Sequence, residues 1–234
     1  MMATIHQPQY LPWLGYFDKA HRADIFILLD NVQFKKNEWQ NRNKIRTPQG
    51  WQWITVPVLH DFGQKIKEVR INNKEPWRKS HLKALQLNYS KAPFFNDYIG
   101  FFEKVYGRDW EYLADINTYL IEKFIEFLGI KTKIIKASQY EVTEDSTQRL
   151  VELCQKVGVD QYLSGRDGSK YMDFGKFEEN NIKVVVQDFH HPVYHQLWGN
   201  RDGSEFLSHL SVADLLFNHG KDSLHVLSGK GIGV

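Results

Sequence analysis

The run Ile25-Phe26-Ile27-Leu28-Leu29 is apolar at every position, so neither face of a strand built from it tolerates water. Such a strand needs cover on both sides, as in the middle of a parallel sheet with helices packed on each face. The residues ahead of it suit that setting. Thr4-Ile5-His6 reads as a short strand, Pro8 and Pro12 discipline the turn that follows, and Gly15 opens a helix of about two turns to Arg22. A strand, a short helix and a buried strand make a parallel βαβ start, whose ligand crevice lies beyond the carboxyl ends of the strands. His6, Gln7, Gln9, Tyr10, Asp30, Asn31 and Gln33 all fall at those ends. They form either a ligand-binding set or the polar residues that cap any turn.

With 234 residues, 42% of them hydrophobic, the chain has ample material for a core, which excludes intrinsic disorder. Its 30 basic and 28 acidic residues leave a formal charge of +2, so no global field draws in nucleic acid. A local basic stretch at 35–46 sets Lys35, Lys36, Arg42, Lys44 and Arg46 against Glu38 alone, a pattern suited to phosphate or carboxylate groups. The single cysteine, Cys154, lies on a helical stripe with Leu150, Leu153 and Val157 and reads as a small buried hydrophobe. With no disulfide available within one chain, no leader pattern and no apolar run long enough for a membrane span, the expected location is the cytoplasm.

Beyond the loop at 31–42, residues 43–46 are expected to pair across Pro48-Gln49-Gly50 with 51–58 as a β-hairpin that puts Trp51 and Trp53 on one face. A short strand is expected at 68–71. Residues 76–130 read as helical, with helices starting near Pro76, at Pro93 and at an Asp109 cap. Beta character returns at 133–138, a helix capped within 143–146 carries Cys154, and strands follow at 160–164 and 182–188, the last read as buried. Ser211 caps a short final helix that Gly220 ends. The pattern predicts one α/β domain over 1–234: a Rossmann-like, mostly parallel sheet with flanking helices, a β-hairpin and a central helical section at 76–130 that is an insertion or a lid.

Two stretches carry the chemistry. In Tyr162-Leu163-Ser164-Gly165-Arg166-Asp167-Gly168-Ser169-Lys170, glycines loosen the backbone after a strand, so that amides surround an anion while Ser164, Arg166, Ser169 and Lys170 add donors. The spacing is not that of a Walker loop. In the segment from Phe189, His190, His191 and His195 form a cluster, with His60, His209 and His219 as additions. Metal binding, acid–base chemistry and a structural role all remain open there, although Pro192 breaks any regular helix pairing His191 with His195. His6 and Asp30 form a candidate base and charge partner. Tyr10, Trp13 and Trp39 are candidate walls for a nucleobase or sugar.

Ile5-His6-Gln7-Pro8-Gln9-Tyr10-Leu11-Pro12-Trp13-Leu14-Gly15-Tyr16-Phe17, Asp30-Asn31-Val32-Gln33-Phe34, Trp39-Gln40-Asn41-Arg42-Asn43, Tyr162-Leu163-Ser164-Gly165, the segment 189–196 and the segment 210–218 together resemble the WbqC-like family in the family's own order. The resemblance implies a bacterial protein associated with surface-polysaccharide or modified-sugar gene sets. More distantly, the opening unit looks like the start of nucleotidyltransferases and pantothenate-synthetase-like ligases. Those carry a His-x-Gly-His element where this chain has Trp13-Leu14-Gly15-Tyr16, so the likeness extends to the fold and not to adenylyl transfer. The expectation is a transferase acting on a nucleotide-linked sugar or another phosphate-bearing small molecule. The basic loop with Arg42 and the 164–170 turn bind the charge, and His6, His190, His191 or His195 handles a proton. The alternatives are an ATP-dependent ligase using a nucleotide with Mg2+ near Asp30 or Asp167 and a non-catalytic sugar-nucleotide or partner-binding module.

Overall fold

The doubly apolar run becomes an inner strand of a five-stranded parallel sheet in the computed structural model, which describes residues 1–170, 172–199 and 205–229. In chain order the elements are β1 (Met2–His6), α1 (Leu14–Arg22), β2 (Ile25–Leu28), a hairpin of β3 (Arg42–Thr47) and β4 (Gly50–Thr55), and a two-residue pair β5 (Val58–Leu59) and β6 (Arg70–Ile71). Three helices follow, α2 (Trp77–Tyr89), α3 (Phe95–Gly107) and α4 (Leu113–Leu128). The chain then runs through β7 (Lys133–Lys136), α5 (Ser146–Lys156), β8 (Gln161–Ser164), α6 (Phe174–Glu179), β9 (Lys183–Val186), α7 (Val212–His219) and α8 (Ser223–Leu227).

The strand order is β7-β2-β1-β8-β9. From β1 the chain first builds outward through β2 and β7, then returns to the other side of β1 for β8 and β9. The sheet therefore has a topological switch point between β1 and β8, the place where open α/β sheets leave a crevice. Alternation along the strands sorts the core. Ala3, Ile5, Ile25 and Ile27 pack with Leu150, Val151 and Cys154 of α5 and Phe177 of α6. Phe26 and Leu28 pack with Leu14, Tyr16, Phe17 and Ala20 of α1 and, beyond them, with α3, α4 and α7. By the same period-two rule His6 stands on the α1 side, its ring 4.9 Å from that of Tyr16.

Several local expectations shift. The 182–188 run yields an edge strand, Lys183–Val186, whose Val186 is exposed, because among the described residues β8 is its only neighbour. Part of the 68–71 strand is a 3-10 turn at Ile66–Glu68. Asp109 pairs with Arg78 instead of capping a helix, and α4 begins at Leu113. Asp145 does cap α5, accepting from the Gln148 amide at 2.7 Å, and Ser211 caps α7. Cys154 is fully buried, and burial pushes its thiol up to about 12, well clear of nucleophilic use.

A buried carboxylate fixes the segment after β9. Asp214, on α7, accepts from the hydroxyls of Tyr89 and Tyr194, both at 2.9 Å, and from Gln196 Nε2 at 3.0 Å. Burial raises its pKa to about 6 while those donors and Arg46 hold it down. A folded pKa above the unfolded one means that this group favours folding most in acid and progressively less as pH rises from about 4 to about 6. Asp214→Asn should lower stability in urea titrations by about 2–4 kcal/mol at pH 4, through mispaired buried donors. The gap between wild type and variant should narrow toward pH 7.

Candidate functional site

The sequence makes α1 present one stripe, at Gly15, Tyr16 and Lys19, toward the carboxyl ends of β1 and β8. That stripe, Ile5 and His6 of β1, Tyr162 of β8, the turn from Gly165 to Gly168, and the aromatic segment beyond Gln187 enclose a crevice of about 670 Å³. It lies at the switch point.

His6 donates its Nδ1–H to the Gln7 carbonyl at 3.2 Å, which leaves Nε2 as the lone-pair nitrogen. Burial, assisted by the charge of Lys19, lowers its pKa to about 3, so the ring is neutral and acts as a hydrogen-bond acceptor across ordinary pH. Lys19 is only 3% exposed. Burial brings its pKa down to about 7, opposed by Asp18. Among the described residues its amine has no hydrogen-bond or ion-pair partner: neighbouring Asp18 is engaged by Gln187 Nε2 at 2.6 Å and by Arg22 at 3.7 Å.

One wall is aromatic. The Trp13 ring stacks on His209 at 4.8 Å and on His191 at 6.5 Å, and meets Phe189 edge-on at 5.6 Å. His191 uses both ring nitrogens: Nδ1 donates to the Pro192 carbonyl at 2.9 Å, and Nε2 accepts from the His209 amide at 3.2 Å. That pairing fixes its tautomer and makes it a positioned wall rather than a free base, and burial lowers its pKa against the opposing bond to Pro192. His209 is held at a left-handed φ of 61°. His190 lines the rim, 3.5 Å from Asp188. His195 is exposed and absent from the lining. Among the described residues no three His, Cys, Asp or Glu side chains converge as metal ligands.

The turn after β8 is tighter than the open loop expected. Residues Arg166–Lys170 form a 3-10 helix, and the Gly168 amide already donates to the Gly165 carbonyl at 2.9 Å. Ser164 is buried, its hydroxyl donating to that same carbonyl at 3.0 Å. A side chain at Gly168 would overlap the Ser164 hydroxyl, so glycine is required there by space. Arg166 is exposed, donates to the Phe189 carbonyl at 3.1 Å and lies 3.9 Å from Asp188. Asp167 pairs with Lys170 at 2.6 Å. The side chain of Ser169 lies outside the described residues.

Other candidates go elsewhere. Tyr10 is in the core, its hydroxyl bonded to His81 Nδ1 at 2.8 Å and Tyr106 at 2.7 Å. Asp30 is buried and accepts from both the amide and the hydroxyl of Ser138, tying β2 to the turn after β7. Neither lines the crevice, so Asp30 is neither the charge partner of His6 nor positioned for a magnesium ion there. Gln7 accepts from Gln40 at 2.7 Å, Gln9 is buried, Asn31 is half-buried, and Gln33 bridges to Lys65. Arg42 stacks over Trp53 of the hairpin at 4.2 Å. Sequence reasoning missed Lys19 and Gln187; the only available signal was that Lys19 follows Gly15 by four residues, on one helix face.

The model of the WbqC-like protein family matches residues 7–226. The chain is also similar to the uncharacterized protein Rv1507c of Mycobacterium tuberculosis, 38% identical over 224 residues covering 94% of each chain. No solved structure matches.

Two measurements probe this geometry. A side chain at Gly15 would collide with the Trp13 ring. Gly15→Ala should therefore displace the indole and move the Trp13 Nε1–H signal in nuclear magnetic resonance spectra, assigned with Trp13→Phe. The His6 ring signals should stay unshifted from pH 8 to pH 5, whereas a surface histidine titrates near 6.5.

Proposed function

The chain belongs to the WbqC-like protein family, and from that premise we propose that it is a transferase acting on a nucleotide-linked sugar or another phosphate-bearing small molecule in bacterial surface-polysaccharide biosynthesis. One observation carries the reading. His6 and the Gly165–Gly168 turn, far apart in sequence, line the same crevice at the switch point. Arg166 supplies a cation at the rim for a phosphate. Trp13 offers a flat face for a base or sugar ring. His6, neutral and with Nε2 unprotonated, accepts a hydrogen bond from the hydroxyl or amine that receives the transferred group. In this reading residues 76–130 brace α1, as the contact of Phe17 with Phe124 at 6.0 Å suggests, and none of the lining residues comes from them.

Calorimetry with a panel of nucleoside diphosphate sugars, and with ATP plus magnesium, tests the reading. At least one sugar nucleotide should bind the wild-type chain. Arg166→Ala should raise its Kd about tenfold, the loss of a charge-assisted hydrogen bond worth about 1.5 kcal/mol. Binding of ATP with magnesium alone would favour the ligase alternative, for which Asp167 is the carboxylate at the crevice. No phosphate-dependent binding by folded protein would sink both.

A further inference from the structure

We infer that the buried part of the crevice is an anion subsite, in which the Lys19 amine meets a phosphate or carboxylate oxygen of the ligand. The inference rests on the crevice being the ligand site, and it adds what the ligand must carry there. A lysine this deep ordinarily has a carboxylate or several acceptors around it, because a buried ammonium without partners is costly. Among the described residues Lys19 has no hydrogen-bond or ion-pair partner, and Asp18 acts on it only through space, yet it lines the cavity. The first turn of α1, whose Gly15 lines the same cavity, adds the positive end of a helix dipole.

The groups around Lys19 do not supply the missing charge. On its own helix, Asp18 is held by Gln187 and Arg22, and the Tyr16 hydroxyl donates to the Gln7 carbonyl at 3.3 Å. From β1 comes the neutral His6, and from β8 the ring of Tyr162, stacked on Phe177 at 5.2 Å. Beyond β8, Asp167 is paired with Lys170, and Arg166 is a cation. Across the crevice, His190 sits beside Asp188, His191 Nε2 is taken by the His209 amide, and the His209 ring is paired with the Ser208 hydroxyl. The complement to an unpaired amine here is therefore carried by the ligand.

Because burial sets the free amine near neutrality at physiological pH, an anion that seats against it draws a proton onto Lys19. Binding of an anion of constant charge is therefore strongest below pH 7 and weakens above it. Arg166 at the rim and Lys19 in the interior give the crevice two cationic points. A ligand with two separated anionic groups, or with a diphosphate, satisfies both.

The test is the pH profile of Lys19 acetylation in the full-length protein, read by mass spectrometry after brief exposure to limiting acetic anhydride. It is run with no added anion, with sulfate as the phosphate mimic and with oxalate as the carboxylate mimic. Without anion the half-maximal rate should fall near pH 7, while exposed lysines label only at much higher pH. Saturating sulfate or oxalate should move the Lys19 midpoint up by about one pH unit, slowing its modification about fivefold at pH 7. The anion that shifts it identifies which oxygen chemistry the subsite takes. A midpoint unmoved by either anion, a midpoint shared with the exposed lysines, or no modification of Lys19 at any pH overturns the inference. Lys19→Met gives the second readout. Its affinity for uridine diphosphate should fall about tenfold at pH 6 and much less at pH 8.5, whereas equal affinity at both pH values contradicts the subsite. If wild-type protein binds uridine diphosphate and is weakened by Arg166→Ala but Lys19 is indifferent, only this inference fails. Absence of binding to wild type removes the crevice reading itself.

Discussion

The parallel pairing of β1 with β8 is the contact on which the site depends. It joins chain segments 159 residues apart, and the buried Thr4 hydroxyl secures it by donating to the Leu163 carbonyl at 2.9 Å. Because β1 already pairs with β2 on its other edge, every backbone group in its middle is satisfied, and chain polarity brings the ends of β1 and β8 out together. His6 and Gly165 are neighbours for that reason. The crevice then follows from topology, since helices leave from both strands and diverge to opposite faces of the sheet.

Electrostatics gives the crevice its character. Around it, charges are matched one against another: Asp18 with Arg22, Asp167 with Lys170, Arg166 near Asp188. Burial keeps His6 neutral, the His209 amide holds the His191 ring, and Ser208 holds the His209 ring. Lys19 is the exception among the described lining residues, a buried amine left to balance between its charged and neutral forms. The aromatic segment that closes the wall is held by Asp214, whose two tyrosine donors and one glutamine donor come from α2 and from the segment itself. Wall and floor are thus supported by different buried polar networks, and disturbing one need not disturb the other.

Much of this was legible from local pattern. The apolar run at 25–29, the turn residues between β1 and α1, the Trp51/Trp53 hairpin and the Asp145 and Ser211 caps rest on short-range chemistry that survives in any tertiary setting. What escaped was decided by partners far along the chain. Tyr10 reads as a wall residue, but its hydroxyl meets His81 and Tyr106, 71 and 96 residues onward. Asp30 reads as a strand-end acid, but Ser138 takes both its oxygens. The 182–188 run has the apolar density of an inner strand, yet no later strand pairs with it among the described residues. Lys19 looks like any helical lysine, since depth depends on what packs over α1 and leaves no mark in the spacing of polar residues.

The most direct test of the central claim is a crystal structure of the protein grown with uridine diphosphate. The account predicts that both phosphates lie between β1 and β8, one within reach of Arg166 and the other approaching Lys19, with the Trp13 face against the base or its open side. Diphosphate density on another surface, or an empty crevice in crystals whose protein binds the nucleotide in solution, would contradict it.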